Sequence, residues 1–289
     1  MYADDTQLYV EFLPLSESYP VFERIIACLQ SIKYWMSKNF LKLNADKTKL
    51  MFFGSEAQIN LFDDLNICFE RKILDKPDNA SVKTLGVYLD HELTMARQIN
   101  ELCKSCNFHL KRFQRVRYCF DIDLRILLVK TFILAKMDFC NGLLATTNLA
   151  LLNKLQKVLN ACARFIYDLK KRDNVSFYLS KAHILPIKQR VVYKLCSTVF
   201  KILNASAPIY LNSIVRIKAQ PVDSRYDFRL NSDVLQIETS EKCSGCISNK
   251  MTLYWNNLPI DIRYITDFSI FKTQLKTHLF RESYSEFIS

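Results

Sequence analysis

The stretch Tyr2-Ala3-Asp4-Asp5-Thr6 sets two carboxylates side by side, with apolar residues before and after them. Adjacent carboxylates repel each other and are costly to bury. The pairing makes physical sense where a divalent cation lies between them. Mg²⁺ takes oxygen ligands and is commonly held by one or two carboxylates plus substrate phosphates. Two such ions clamp the attacking and leaving oxygens of a phosphoryl transfer. A plain surface turn is the structural alternative, because Ala-Asp-Asp is turn-compatible. Lys47 lies in the polar turn Asn44–Thr48, where a solvated lysine is the plain reading.

Two further groups of residues have spacing that could do work. Between Leu102 and Phe120 stand Lys104, Lys111, Arg112, Arg115 and Arg117, with no Asp or Glu among them. Lys104, Lys111 and Arg115 share one side of a helix, and Lys154, Lys157 and Arg164 repeat the arrangement at spacings of 3 and 7. Such stripes can contact phosphates, which supply affinity without reading sequence; an ordinary solvated helix face is the other reading. Cys103/Cys106 and Cys243/Cys246 have C-x-x-C spacing. A zinc site needs four ligands in two close sets, and the four histidines do not complete one, so metal binding at these cysteines is not expected.

The elements that must position these groups change character along the chain. Residues 2–13 alternate like a strand, and Pro14 and Pro20 bracket a loop. Val21 to Lys38 carries Phe22, Ile25, Ile26, Leu29, Ile32, Trp35 and Met36 on one helical face. "FLKLNADKTKLMFFG", "ICFERKIL" and "VKTLGVYLD" read as strand-like. After Leu93 the period turns helical. Met95, Ile99, Leu102, Cys106, Leu110, Phe113 and Val116 make one stripe, Asp121 to Lys136 another helix, and Leu151 to Ile166 a third. Residues 173–215 continue helical with Pro186 and Pro208 as boundaries; the pattern weakens from about Lys218. A last amphipathic helix is built on Phe268, Phe271, Leu275, Leu279 and Phe280.

With 289 residues, two or three domains are expected. Hydrophobic residues at 49% and only 4 Gly and 7 Pro favour a helix-rich globular chain over disorder. Forty Lys and Arg against 29 Asp and Glu give a net charge of +11, which points to a polyanionic partner, nucleic acid ahead of a membrane surface. The ten scattered cysteines read as reduced core thiols of a cytoplasmic or nuclear protein, and no apolar run approaches the ~20 residues of a membrane span.

Tyr2-Ala3-Asp4-Asp5 with Thr6, Leu8 and Tyr9 resembles the polymerase motif of reverse transcriptases, in particular those of non-LTR (LINE-type) retrotransposons. "LKLNADKTKLMFFG" (Leu41 to Gly54) is similar to the next palm motif, and "LGVYLD" (Leu85 to Asp90) to the primer-gripping hairpin. Met137-Asp138-Phe139-Cys140-Asn141, Leu155-Gln156 with Asn160-Ala161-Cys162-Ala163-Arg164, "LPIKQRVVYKL" (Leu185 to Leu195), "APIYL" (Ala207 to Leu211) and "WNNLPIDIR" with "FKTQLKTHLF" resemble signatures of the jockey-like and chicken-repeat-like branch, in family order.

The resemblance implies a mainly α chain with a small α+β part: palm remnant (1–92), helical thumb (93–172) and helical C-terminal region of unknown role (173–289). It implies RNA-directed DNA synthesis with Asp4 and Asp5 as Mg²⁺ ligands, Lys47 near the leaving pyrophosphate, and RNA template and DNA primer as partners. The nucleic-acid-binding set is Lys104, Lys111, Arg112, Arg115, Lys154, Lys157 and Arg164. The family's third carboxylate lies on an earlier palm strand, so the expectation is a C-terminal fragment inactive on its own. The alternatives are a non-enzymatic basic nucleic-acid-binding module or a helical interaction scaffold.

Overall fold

The computed structural model describes residues 6–12, 18–44, 47–62, 67–69, 72–74, 81–215, 237 and 246–287. The chain divides into two compact units, Met1–Thr94 and Met95–Ser289.

In the first unit α1 (Ser18–Lys38) buries Val21, Phe22 and Leu29. Phe22 and Leu29 form a small cluster with Ile67, Phe69 and Leu74, against which Phe12, Phe52 and Phe62 pack. A short α2 (Glu56–Asn60) precedes two antiparallel hairpins, β1 (Cys68–Phe69) with β2 (Lys72–Ile73) and β3 (Ser81–Thr84) with β4 (Val87–Asp90). In the second hairpin Val82 faces Leu89 and Thr84 faces Val87. Its two-residue turn puts Leu85 at φ 47° and Gly86 at φ 85°. Both central residues at positive φ give the backbone twist that matches paired strands, and glycine takes that conformation without a side-chain clash.

Two strand expectations need correction. Residues 6–12 form no strand, and between 41 and 54 the described residues show only an isolated bridge at Lys49. The physical reason is common to both: alternation records that one face can be buried, while a ladder also needs a partner edge. The strand-like "ICFERKIL" does pair, as two short strands with Cys68 opposite Ile73.

The second unit is helical. It contains α3 (Ala96–Arg115); α4 (Ile122–Val129), running through a π-turn at Lys130–Leu134 into α5 (Ala135–Asp138); α6 (Leu149–Tyr167); α7 (Val175–Lys181); and α8 (Ile187–Leu203). Then come α9 (Ile247–Asn256), α10 (Ile260–Arg263) and α11 (Phe268–Tyr284). The starts follow local chemistry. Asp121, Asn148 and Asp267 accept hydrogen bonds from the backbone N–H of Leu124, Leu151 and Ile270, satisfying donors the helix itself leaves open. Pro186 and Pro208 stand just before α8 and the short 3₁₀ turn Ile209–Ser213.

Ile99, Cys106 and Leu110 of α3 are buried, as are Leu155, Leu159, Cys162 and Ile166 of α6. Farther along, Phe271 of α11 stacks on Phe200 of α8 at 4.4 Å and meets the buried Trp255 at 5.8 Å. Helices on either side of residue 172 pack together here: α6 contacts α7 and α8, and α11 contacts both of those. Gly142 lets the segment after α5 approach α8, since a Cβ there would lie 3.3 Å from Leu195 Cδ2. Among the described residues no helix is long and apolar enough to cross a membrane.

Candidate nucleic-acid interface

Asp4 and Asp5 lie outside the described residues. Lys47 is exposed in a turn in which its backbone N–H donates to the Asn44 carbonyl at 3.2 Å. Among the described residues no group of three or more His, Cys, Asp or Glu side chains is placed to hold a metal ion.

The basic residues are brought together by the way α3 and α6 pack. Lys154 Nζ donates to Asn100 Oδ1 at 3.1 Å near the start of both helices, and the Phe113 and Phe165 rings meet at 6.1 Å near their ends. The two helices therefore run parallel, with their buried stripes facing each other. Between them an open groove of about 310 Å³ is lined by Cys103, Asn107, Lys154, Lys157 and Val158. Lys104 and Lys111, one turn to either side of Asn107, are exposed, as is Arg115; Arg164 is half-buried on α6. Lys154 and Lys157 thus share the groove with α3, and the lysines of α3 flank it.

Not every member of the expected set faces this way. Arg112 lies over the Phe108 ring at 5.5 Å, toward the flank of α3 that meets the π-turn. Lys104 pairs with Glu101 at 2.6 Å, with 72% of the lysine side chain exposed; an exposed pair of this kind holds the lysine weakly. Arg117, outside that set, is engaged with Asp168 at 2.6 Å.

Parallel packing also sets the two helix C-termini, each the negative end of a dipole, at one end of the pair. Arg125 answers that end from α4, donating to the carbonyls of Ile166, Arg117 and Phe120. The exposed run Lys170-Lys171-Arg172 follows α6 there. Neither was picked out from the sequence, although three consecutive cations are a visible signal. Asn100 and Asn107, the groove's neutral polar residues, carry no sequence signal at all.

The expectation of core thiols needs correction: among the described cysteines only Cys106, Cys162 and Cys196 are buried, while Cys28, Cys68, Cys119 and Cys140 are exposed. Burial pushes the Cys106 thiol up to about 11 and those of Cys162 and Cys196 to about 12, so all three stay protonated near neutral pH. Burial also raises Cys103, and Lys154 offsets part of that. Cys246 is half-buried at the start of α9, and Cys243 lies outside the described residues.

Several polar residues tie distant segments together. Arg190 donates from Nε to Asp138 Oδ1 at 2.7 Å and from its terminal nitrogen to Asp138 Oδ2, a bidentate pair joining two motifs 52 positions apart. Gln156 accepts from the Ile187 N–H at 3.0 Å, at the first turn of α8, and donates to Asn160 at 2.9 Å. Asn256 exchanges two hydrogen bonds of 3.0 Å with the backbone of Ile237. The buried Tyr284 hydroxyl donates to the Ile184 carbonyl at 2.7 Å. No protein-family model, no curated protein and no solved structure matches the chain.

Proposed function

We propose that the chain is a nucleic-acid-binding C-terminal part of a LINE-type reverse transcriptase, with the open face of the α3–α6 pair as its contact with the phosphate backbone. The observation that carries this reading is the parallel packing, which sets Lys154 and Lys157 beside the lysines of α3 along one groove. A surface of that kind suits a primer–template duplex, since phosphates can be gripped by cations at helical spacing whatever the base sequence.

The polymerase assignment rests on the resemblance of Tyr2-Ala3-Asp4-Asp5, of Leu41 to Gly54 and of Leu85 to Asp90 to reverse-transcriptase motifs, with the later signatures following in family order. Mg²⁺, which that resemblance implies, would be held by Asp4 and Asp5. Lys47 would serve the leaving phosphate as a charge partner. Phosphoryl transfer depends on positioning and electrostatic stabilisation by a complete set of groups, so we expect no synthesis from these 289 residues by themselves. Labelled dNTP incorporation on an RNA template that Asp4→Ala abolishes would overturn that expectation.

Binding and catalysis separate cleanly by mutation. Affinity for a DNA or RNA duplex should survive Asp4→Ala and Asp5→Ala and fall when Lys154 and Lys157 are changed to Gln. Equal affinity in both pairs of variants would refute the assignment of the groove.

A further inference from the structure

The other flank of α3 has a different character. Phe108 is 57% exposed and Phe132, on the π-turn, 42%. The His109 ring stands between them, 5.7 Å from Phe108 and 5.8 Å from Phe132. Arg112 covers one side of Phe108. Lys136 Nζ reaches across from α5 to lie 2.8 Å from His109 Nε2 and 2.7 Å from Ser105 Oγ.

Large aromatic side chains left this exposed have lost the burial that would stabilise them, and here they are interleaved with cations. Partial burial and then the charges of Lys136 and Arg112 hold His109 below its ordinary value, so the ring is neutral at pH 7 and accepts from the Lys136 ammonium. The positive charge of the patch therefore sits on Lys136 and Arg112, beside the exposed Phe108 and Phe132 rings and the His109 ring that touches both. The neighbouring carboxylate, Glu101, is one turn away and engaged by Lys104.

We propose that this flank is a stacking platform for unpaired bases of a single-stranded nucleic acid, with Phe108 and Phe132 as the stacking rings and Arg112 and Lys136 as partners for the adjoining phosphates. It rests on the nucleic-acid reading above and adds a second surface to it. The groove side offers amines and no exposed ring, which suits a backbone already paired. The Phe108 side offers π-faces, on which any base can stack and which a duplex cannot reach. The ridge of α3 carrying Lys104, Lys111 and Arg115 lies between the two, so a strand could leave a duplex on one flank and open onto the other.

The test uses the full chain, a labelled 20-nucleotide single strand, and the same strand in duplex with its complement. Stacking loss by alanine substitution is typically worth about tenfold in affinity per base. Phe108→Ala and the double variant Phe108→Ala/Phe132→Ala should weaken single-strand binding by about tenfold or more, leaving duplex binding and its salt dependence within about twofold. Phe108→Trp guards against a folding artefact: it should retain affinity, and its fluorescence should be quenched by the single strand and not by the duplex. Equal losses for both probes, or no loss for either, would overturn the platform while leaving the groove intact. Wild-type chain that binds neither probe would overturn both surfaces. Aromatic variants that instead lose a co-purifying protein would reassign the patch to a protein partner.

Discussion

Five phenylalanines, with Phe69 the most buried, dominate the interior of the first unit, and four of them meet ring to ring. Phe22 lies 5.7 Å from Phe12, 6.1 Å from Phe52 and 6.0 Å from Phe62, all edge-on, and Phe52 stacks on Phe62 at 5.1 Å. Among its described residues, side-chain hydrogen bonds at Asp90–Thr94, Ser55–Gln58 and Asn39–Trp35 span three or four residues. Tyr34, Trp35 and Phe40 remain largely exposed. The second unit adds to a larger apolar interior a set of polar ties reaching 52 residues from Asp138 to Arg190 and 100 from Ile184 to Tyr284. Rings packed around short elements exclude water without fixing much geometry. Paired polar groups at long sequence separation fix which helix faces which, because each is costly to leave unpaired once buried. That is the unit in which a groove between two helices can hold its shape.

The largest expected effect comes from the interior that supports the groove. Trp255→Ala, at 1% exposure against Phe271, should cost about 3–5 kcal/mol in thermal or urea unfolding of the second unit; a loss below about 1 kcal/mol would erase the contrast between the units. Next is the Asp138–Arg190 tie. With Asp138 43% exposed, Arg190→Ala should cost about 2 kcal/mol, less than for a fully buried pair. Arg190→Lys should recover only part of it, since lysine cannot make the bidentate contact. A double-mutant cycle with Asp138→Asn tests the coupling, and strictly additive losses would mean that the tie is incidental.

Smaller effects follow from the titrating groups. Cys106, Cys162 and Cys196 have folded values above the ordinary thiol value of 9.0. The native state therefore holds those protons more tightly than the unfolded chain. Their contribution is fully present below pH 9 and is lost as pH climbs toward 12. At pH 8 iodoacetamide should modify the exposed Cys119 and Cys140 long before these three; simultaneous labelling of all would show that the interior opens readily. His109 runs the other way. Its folded value lies below 6.5, so the unfolded chain takes up the proton first and stability declines as pH falls through 6.5. An NMR titration of His109 placing its midpoint at or above 6.5 would contradict that packing.

The helical half was the more legible because helix periodicity is local. The stripe from Met95 to Leu110 and the one from Leu151 to Ile166 could be read directly, since residues three and four apart share a face whatever lies opposite. Pro186 and Pro208 marked helix starts for an equally local reason, a fixed φ and no N–H to satisfy. Residues 6–12 and the stretch around Lys49 alternate like strands yet form none among the described residues, because alternation does not reveal an available edge. The π-turn at Lys130–Leu134, which presents Phe132, left no mark on the pattern of Leu and Ile around it. Of the interface, the cations were visible and their sides of α3 partly so, but the parallel meeting of α3 with α6 was not. Asp138, Gln156 and Arg190 stood out as signatures, and only their partners reveal the reason.

The central claim, that the α3–α6 face grips phosphates, is tested most directly by the salt dependence of duplex binding. The wild-type chain should show log affinity falling linearly with log salt. The variant Lys104→Gln/Lys111→Gln/Lys154→Gln/Lys157→Gln should have a slope shallower by about 0.9 for each phosphate contact removed, or about 3–4 in all. A wild-type slope near zero, or a slope left unchanged by the four substitutions, would contradict it.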